Sequence, residues 1–198
     1  MTAAATAVPS RPGRPRSAEA DAAIRQATID LLAEEGYANL TMSGVASSAG
    51  VSTATLYRRW RSKVDLVVDV LSVESEERPL PDTGDLRGDC RAWLRQMVET
   101  MRETTSGPVM AGLVGEIGRN PELADAIRTT LIAPRRAAFI EMIERAERRG
   151  ELRAGLDHEL VIDLLSAPIY HRVLITGAPI SRGLADKIVD LVLEGVTK

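Results

Sequence analysis

The sequence predicts an all-α protein of about nine helices, with a small N-terminal three-helix unit followed by a larger helical body. Three observations carry this expectation. Apolar residues recur at three- and four-residue spacing along most of the chain, while the two-residue alternation of strands is nearly absent. Ser, Thr, Asn or Asp precedes successive apolar-periodic runs, as helix N-caps do. Glycines stand where several of those runs stop, at Gly36, Gly50, Gly150 and Gly177. At 198 residues, 44% of them apolar, the chain is long enough to bury a substantial core.

Residues 1–16 are rich in Ala, Pro and Arg and are expected to form a flexible basic arm. Arg11, Arg14 and Arg16 sit there on a Pro-stiffened stretch. Its Gly-Arg-Pro core resembles that of an AT-hook, which lies in a narrow, electronegative A·T-rich minor groove. The same run is equally consistent with a tail of incidental charge. The arm lacks the basic-then-apolar order of a secretory signal, and no run approaches about 18 uninterrupted apolar residues. A cytoplasmic protein with Cys90 reduced is the expectation.

Residues 17–77 form the first predicted domain. Ser17 is the expected N-cap of helix one, whose apolar face is Ile24, Ala27, Leu31 and Leu32. Gly36 ends it, and Tyr37 is placed to fold back onto Leu32. Thr41 then caps a short helix that stops before Gly50, and Ser52 caps a second that runs to about Trp60. Ser62 caps a third, with Asp65 completing a capping box. Two short helices about a glycine turn are the outline of a helix-turn-helix. Val45, Val51 and Leu56 would hold both against helix one.

With Leu56 inward, Ser52, Thr53, Thr55, Tyr57 and Arg58 are left for solvent or a partner. No carboxylate stands among them, so this face can enter a major groove and meet phosphates without repulsion. Arg58, Arg59, Arg61 and Lys63 cluster where the duplex backbone would pass. Lys63 also lies in the first turn of the next helix, where free N–H groups favour an anion. A helical corner with a solvated basic rim is the bland alternative, which the agreement of caps, turn and surface weighs against. Charge asymmetry agrees weakly: residues 1–65 hold eight Lys/Arg against six Asp/Glu, and the remainder holds 17 against 22.

The run from Gly36 to Ala46, continued by Ala49-Gly50-Val51-Ser52-Thr53-Ala54-Thr55-Leu56-Tyr57-Arg58-Arg59-Trp60 and Ser62-Lys63-Val64-Asp65-Leu66, resembles the TetR family of bacterial transcriptional regulators. The resemblance implies an all-helical homodimer with N-terminal DNA-binding heads and a body that holds a small-molecule pocket. It implies that Thr41 and Ser43 touch phosphate, that Ser52, Thr53 and Thr55 face the groove, and that Tyr57 and Lys63 clamp phosphates. Two residues depart from the family pattern. Gly44 removes a capping-box partner and lowers helix propensity by about 1 kcal/mol against Ala, and Trp60 replaces the more usual Phe.

Residues 78–198 are the predicted effector-binding and dimerisation domain. Glu76 to Gly84 is expected to be a hinge. Asp85 to about Thr105 is amphipathic, and Ser106-Gly107-Pro108 interrupts it. The next helix carries Gly112, Gly115 and Gly118, whose spacing fits no phosphate-binding fingerprint and suggests a small face for close helix approach or a soft pocket wall. Asn120 caps a helix with Pro121 at its first position, running to Gly150 with a kink or restart at Pro134. Asp157 caps a helix to about Thr176, and Ser181 opens the last. These two apolar C-terminal helices are expected to pair with their copies in a symmetric four-helix interface, where the family also places its dimer contact. The stretches Arg149–Leu152 and Ala167–Arg172 resemble one TetR body subclass.

Trp93, Met97, Met101, Met110, Phe139 and Met142, joined by Tyr170 and His171, are candidate pocket residues. For each, ordinary core packing is the competing assignment. One Cys and two His offer no zinc set, and no cofactor or membrane contact is expected. An acid–base enzyme built on His158 or His171 would need a constellation that the sequence does not contain. The expected partners are therefore a palindromic double-stranded DNA operator, a second copy of the chain and an unidentified small-molecule effector. A DNA-binding regulator or adaptor without an effector is the alternative.

Overall fold

The computed structural model describes residues 15–76, 80–102 and 105–196. Ten α-helical segments follow one another: α1 (Pro15–Asn39), α2 (Met42–Ser48), α3 (Thr53–Tyr57), α4 (Lys63–Glu76), α5 (Leu86–Arg102), α6 (Ser106–Ile117), α7 (Pro121–Ala126), α8 (Ala133–Arg148), α9 (His158–His171) and α10 (Arg182–Val196). A wide π turn, Ile127–Ile132, joins α7 to α8, so the expectation of about nine helices holds if those two count as one. Among the described residues no strand forms. None of their helices is long and apolar enough to cross a membrane.

Local chemistry sets most helix ends. Thr41 caps α2 by accepting the Gly44 N–H at 3.0 Å, and a Cβ at Gly44 would crowd that same hydroxyl at 3.0 Å. After α2, Gly50 takes φ 65°. Its N–H donates to the Ser47 carbonyl and that of Val51 to the Ala46 carbonyl, the paired bonds of a Schellman ending. Gly36 (φ 75°, ψ 167°) breaks the helical path of α1, and both Tyr37 and Leu32 are buried in one core beyond it. At the other end α1 begins at Pro15 and takes in Arg16, so Ser17 lies inside the helix and is not its N-cap. Proline's fixed φ and missing N–H suit a first helical position. Arg11 and Arg14 lie outside the described residues, as does the side chain of Arg16.

Two hydrophobic cores result. One gathers Ile24, Leu32, Val45, Leu56 and Val67 from α1–α4, and continues into α6, α7 and the π turn through Val109, Leu113, Leu123 and Ile127. The other joins α5, α8, α9 and α10 around Leu94, Phe139, Ile143, Leu165 and Val189. The two cores do not divide the chain at one point in sequence, because α6 and α7, which follow α5, pack with α1–α4. Tyr37 marks this junction: Asn120, the N-cap of α7, lies 3.5 Å from its hydroxyl. Burial pushes the Tyr37 phenol above its ordinary pKa, and Glu122 adds to the shift.

Arginines on α5 fasten α10 from outside the second core. Arg91 meets Asp190 at 2.7 Å, and Arg95 meets Asp186 through two bonds of 2.8 Å. The Arg95 guanidinium holds the Asp186 carboxyl below its usual pKa. That pair favours the fold at neutral pH and loses its effect as pH falls through the lowered value. The kink expected at Pro134 takes the form of the π turn just before it, a geometry that accommodates the carbonyl this ring leaves unpaired. Gly112, Gly115 and Gly118 do not serve close helix approach within the chain, since a Cβ at any of them would meet nothing within 4 Å. Gly107 does: a Cβ there would lie 2.6 Å from the Met101 carbonyl oxygen, where α6 starts against the end of α5.

Burial raises the Cys90 thiol pKa to about 12. Cys90 is therefore expected to resist a thiol reagent such as Ellman's at pH 8 and to react fully once denaturant opens the body; fast labelling of the native chain would contradict this packing.

Candidate nucleic-acid interface

Five residues are too few for a helix to hold itself together, so α3 depends on caps and packing. Ser52 supplies the cap: its hydroxyl accepts the Thr55 N–H at 3.2 Å and lies 2.9 Å from the Thr55 hydroxyl. Leu56 supplies the packing and is fully buried. The remaining face points outward. Ser52, Thr53 and Arg58 are exposed, Thr55 is half-buried, and Tyr57 keeps 56% of its surface. Thr41 and Ser43, with hydroxyls 3.3 Å apart, are exposed at the start of α2. The expected α2 and α3 residues thus carry hydroxyls, a phenol and a guanidinium, exposed except for the half-buried Thr55, with no carboxylate among them.

The basic cluster after α3 divides. Arg58 and Arg61 are exposed. Lys63 turns back on the chain: its ammonium donates to the Tyr37 carbonyl at 2.9 Å and the Ala38 carbonyl at 3.4 Å, and lies 4.4 Å from the Tyr37 ring centroid. Arg59 pairs with Asp21 of α1, so it is not simply one more outward cation. Sequence reasoning missed this pair because its partners are 38 positions apart and no local spacing signals it. Trp60 is tied as well, donating its indole N–H to Asp69 of α4 at 2.9 Å. Asp65 makes one half of the expected capping box, its N–H donating to the Ser62 hydroxyl at 3.1 Å, while its carboxylate accepts the Arg61 N–H at 3.1 Å.

The candidate pocket residues are not gathered around one space. Trp93, Phe139 and Met142 are buried in the second core, with the Trp93 and Phe139 rings 4.6 Å apart at 50°. Met97 and Met101 pack against that core, Met110 lies half-buried on α6, and Tyr170 and His171 are exposed on α9. A cavity of about 580 Å³ opens elsewhere, between α1, α4 and the α7 end of the π turn, with Ile24, Trp60, Asp69, Val73, Ala126 and Thr130 among its walls. A shallower groove of about 390 Å³ runs along α9 past Asp163, Leu164, Ala167, Pro168 and His171. Among the described residues no group of His, Cys, Asp or Glu is placed to hold a metal ion.

A capped two-helix turn with an exposed, carboxylate-free second helix, set on a larger helical body, defines a helix-turn-helix DNA-binding protein. Comparison with known proteins makes the class specific. Residues 24–70 match the family described as bacterial regulatory proteins, tetR family, and residues 80–192 match the tetracyclin repressor-like C-terminal domain. The chain is 35% identical over 190 residues to the HTH-type transcriptional regulator YdeS of Bacillus subtilis, covering 94% of each chain. It is 30% identical over 174 residues to the DNA-binding transcriptional repressor TetR of Mycobacteroides abscessus, covering 87% of this chain and 90% of that one. The crystal structure of the TetR family regulator SCO0332 superposes with a TM-score of 0.74 at 35% identity, covering 91% of this chain and all of that one. The chain belongs to the TetR family of bacterial transcriptional regulators, and is a regulator rather than an enzyme.

Proposed function

We propose that the chain is a cytoplasmic repressor that binds a palindromic operator as a homodimer and is released by a small-molecule ligand. The exposed α3 face carries the reading: Ser52, Thr53 and Thr55 address base edges, and Tyr57 and Arg58 address the flanking phosphates. Thr41 and Ser43 contact phosphate from the start of α2. Lys63 has a third ammonium donor beyond its two carbonyls, and a lysine braced in this way meets a phosphate with less loss of side-chain freedom. Arg11, Arg14 and Arg16 add a salt-dependent contact in the neighbouring minor groove. Residues 17–77 act as the reading head and 78–198 as the dimerising and effector-responsive body.

The dimer contact is assigned to α9 and α10. These helices pack together and leave Leu160 (53%), Leu164 (48%) and Leu191 (72%) exposed, with Ile175 (75%) in the turn after α9. An apolar surface of this kind on two adjacent helices suits a copy of itself. Two heads so joined would place their α3 helices about 34 Å apart, or a multiple of that, in successive major grooves. For the effector, the junction cavity is better placed than the filled second core, because its walls come from both head and body. A ligand that favours one arrangement of those walls shifts DNA affinity by no more than its differential affinity for the two arrangements.

Selection of bound sequences from a random duplex library, followed by gel retardation, tests this function. Recovery of an inverted repeat retarded by a dimer is expected; retention of random sequence alone would overturn it. Lys63→Ala is expected to weaken binding to all sequences and reduce the salt slope by about one. Thr53→Ala is expected to change which base is preferred, with a discrimination of about 1–3 kcal/mol at stake. An unchanged slope for Lys63→Ala would remove that residue from the phosphate contacts.

A further inference from the structure

We infer that Arg59 is a positioning residue for DNA reading, acting through Asp21 of α1 and not as a phosphate contact. The inference rests on the reading that α3 enters the groove. Directly after α3 the chain is fastened at three successive residues: Arg59 by its ion pair to Asp21, Trp60 by its indole bond to Asp69 of α4, and Arg61 by its backbone N–H to Asp65 of α4. The Arg59 guanidinium carbon also lies 5.8 Å from the Trp60 ring centroid, which couples the first two fastenings. Within α3 itself only Leu56 is fully buried, so one side chain sets its depth and does little to fix its rotation or tilt. The fastenings to α1 and α4 supply that second constraint. Without the Asp21 link, the C-terminal end of α3 gains freedom at the point where Tyr57 and Arg58 must meet the backbone.

The two roles for Arg59 predict opposite signs for one substitution. Were Arg59 a phosphate contact merely shared with Asp21, Asp21→Asn would release it, remove a negative charge near the duplex and tighten binding. As a positioning pair, Asp21→Asn weakens specific binding by about two- to fivefold, the range for a partly exposed ion pair. Fluorescence anisotropy of the full chain on its selected operator and on a random-sequence duplex of equal length reads both quantities. Asp21→Asn is expected to lower operator affinity and leave the random duplex and the salt slope unchanged. A general loss of folded head would lower both affinities together. Arg59→Asp alone is expected to bind poorly, and Asp21→Arg combined with Arg59→Asp to recover operator binding to within about twofold of the parent, since the pair is rebuilt in reverse. Tighter binding by Asp21→Asn, equal losses on both duplexes, or a double variant no better than Arg59→Asp alone would each overturn the inference. A parent chain that selects no operator would instead overturn the function on which it rests.

Discussion

Leu56→Ala is expected to abolish operator binding while leaving the core of α5, α8, α9 and α10 folded. Leu56 is fully buried in the N-terminal core, and removing a buried leucine side chain beyond Cβ costs about 2–5 kcal/mol. That loss falls on a helix of five residues with no other fully buried side chain, so α3 has little to retain it. The second core, around Leu94, Phe139 and Leu165, shares no residue with the first. A variant that sediments like the parent, keeps most of its helical circular dichroism and shows no specific retardation is the expected result. Specific binding within about threefold of the parent would mean that Leu56 does not anchor the reading helix, since a loss of even 1.4 kcal/mol corresponds to tenfold.

The second large effect is expected from Leu164→Arg combined with Leu191→Arg. Both side chains are exposed in the single chain, so the substitutions leave the folded protomer intact. In a four-helix contact between copies they would bury four unpaired guanidinium groups, which such an interface does not tolerate. Sedimentation velocity is expected to show monomers. Operator affinity is expected to fall by about 10²–10⁴-fold, because two linked heads bind far more tightly than one. A double variant that remains dimeric would move the interface away from α9 and α10.

Which features were legible in the sequence follows from the range of the forces involved. Thr41, Ser52, Asn120 and Asp157 cap their helices as their positions suggest, because a cap is settled within three residues. Gly50 was equally legible, since its φ of 65° is one that residues with a Cβ rarely adopt, although a Cβ there would meet nothing within 4 Å. Ser17 failed for a local reason as well, with Pro15 offering an earlier start. Arg59 and Lys63 show a limit of a different kind. Their cationic character was plain, but their partners lie on or beyond α1, 38 and 26 positions away, and no spacing rule reaches that far. Phe139 and Met142 illustrate a third limit, because apolar residues at helical spacing fill a core or line a pocket with the same pattern. Only packing separates the two, and it seals both side chains completely.

The head therefore follows closely from its sequence and the junction cavity does not. Junction cavities form where separate elements fail to fill a gap, and the walls here come from α1, α4, α7 and the π turn, which no single periodicity describes.

Base-resolved footprinting of the dimer on its selected operator tests the central claim most directly. Protection of two major-groove segments on one face of the duplex, with centres about 10 base pairs or a multiple apart, is the expected pattern. Thr53→Ala should then alter the same base position in each segment. One protected segment, or a pattern insensitive to every change on the outer face of α3, would contradict the account.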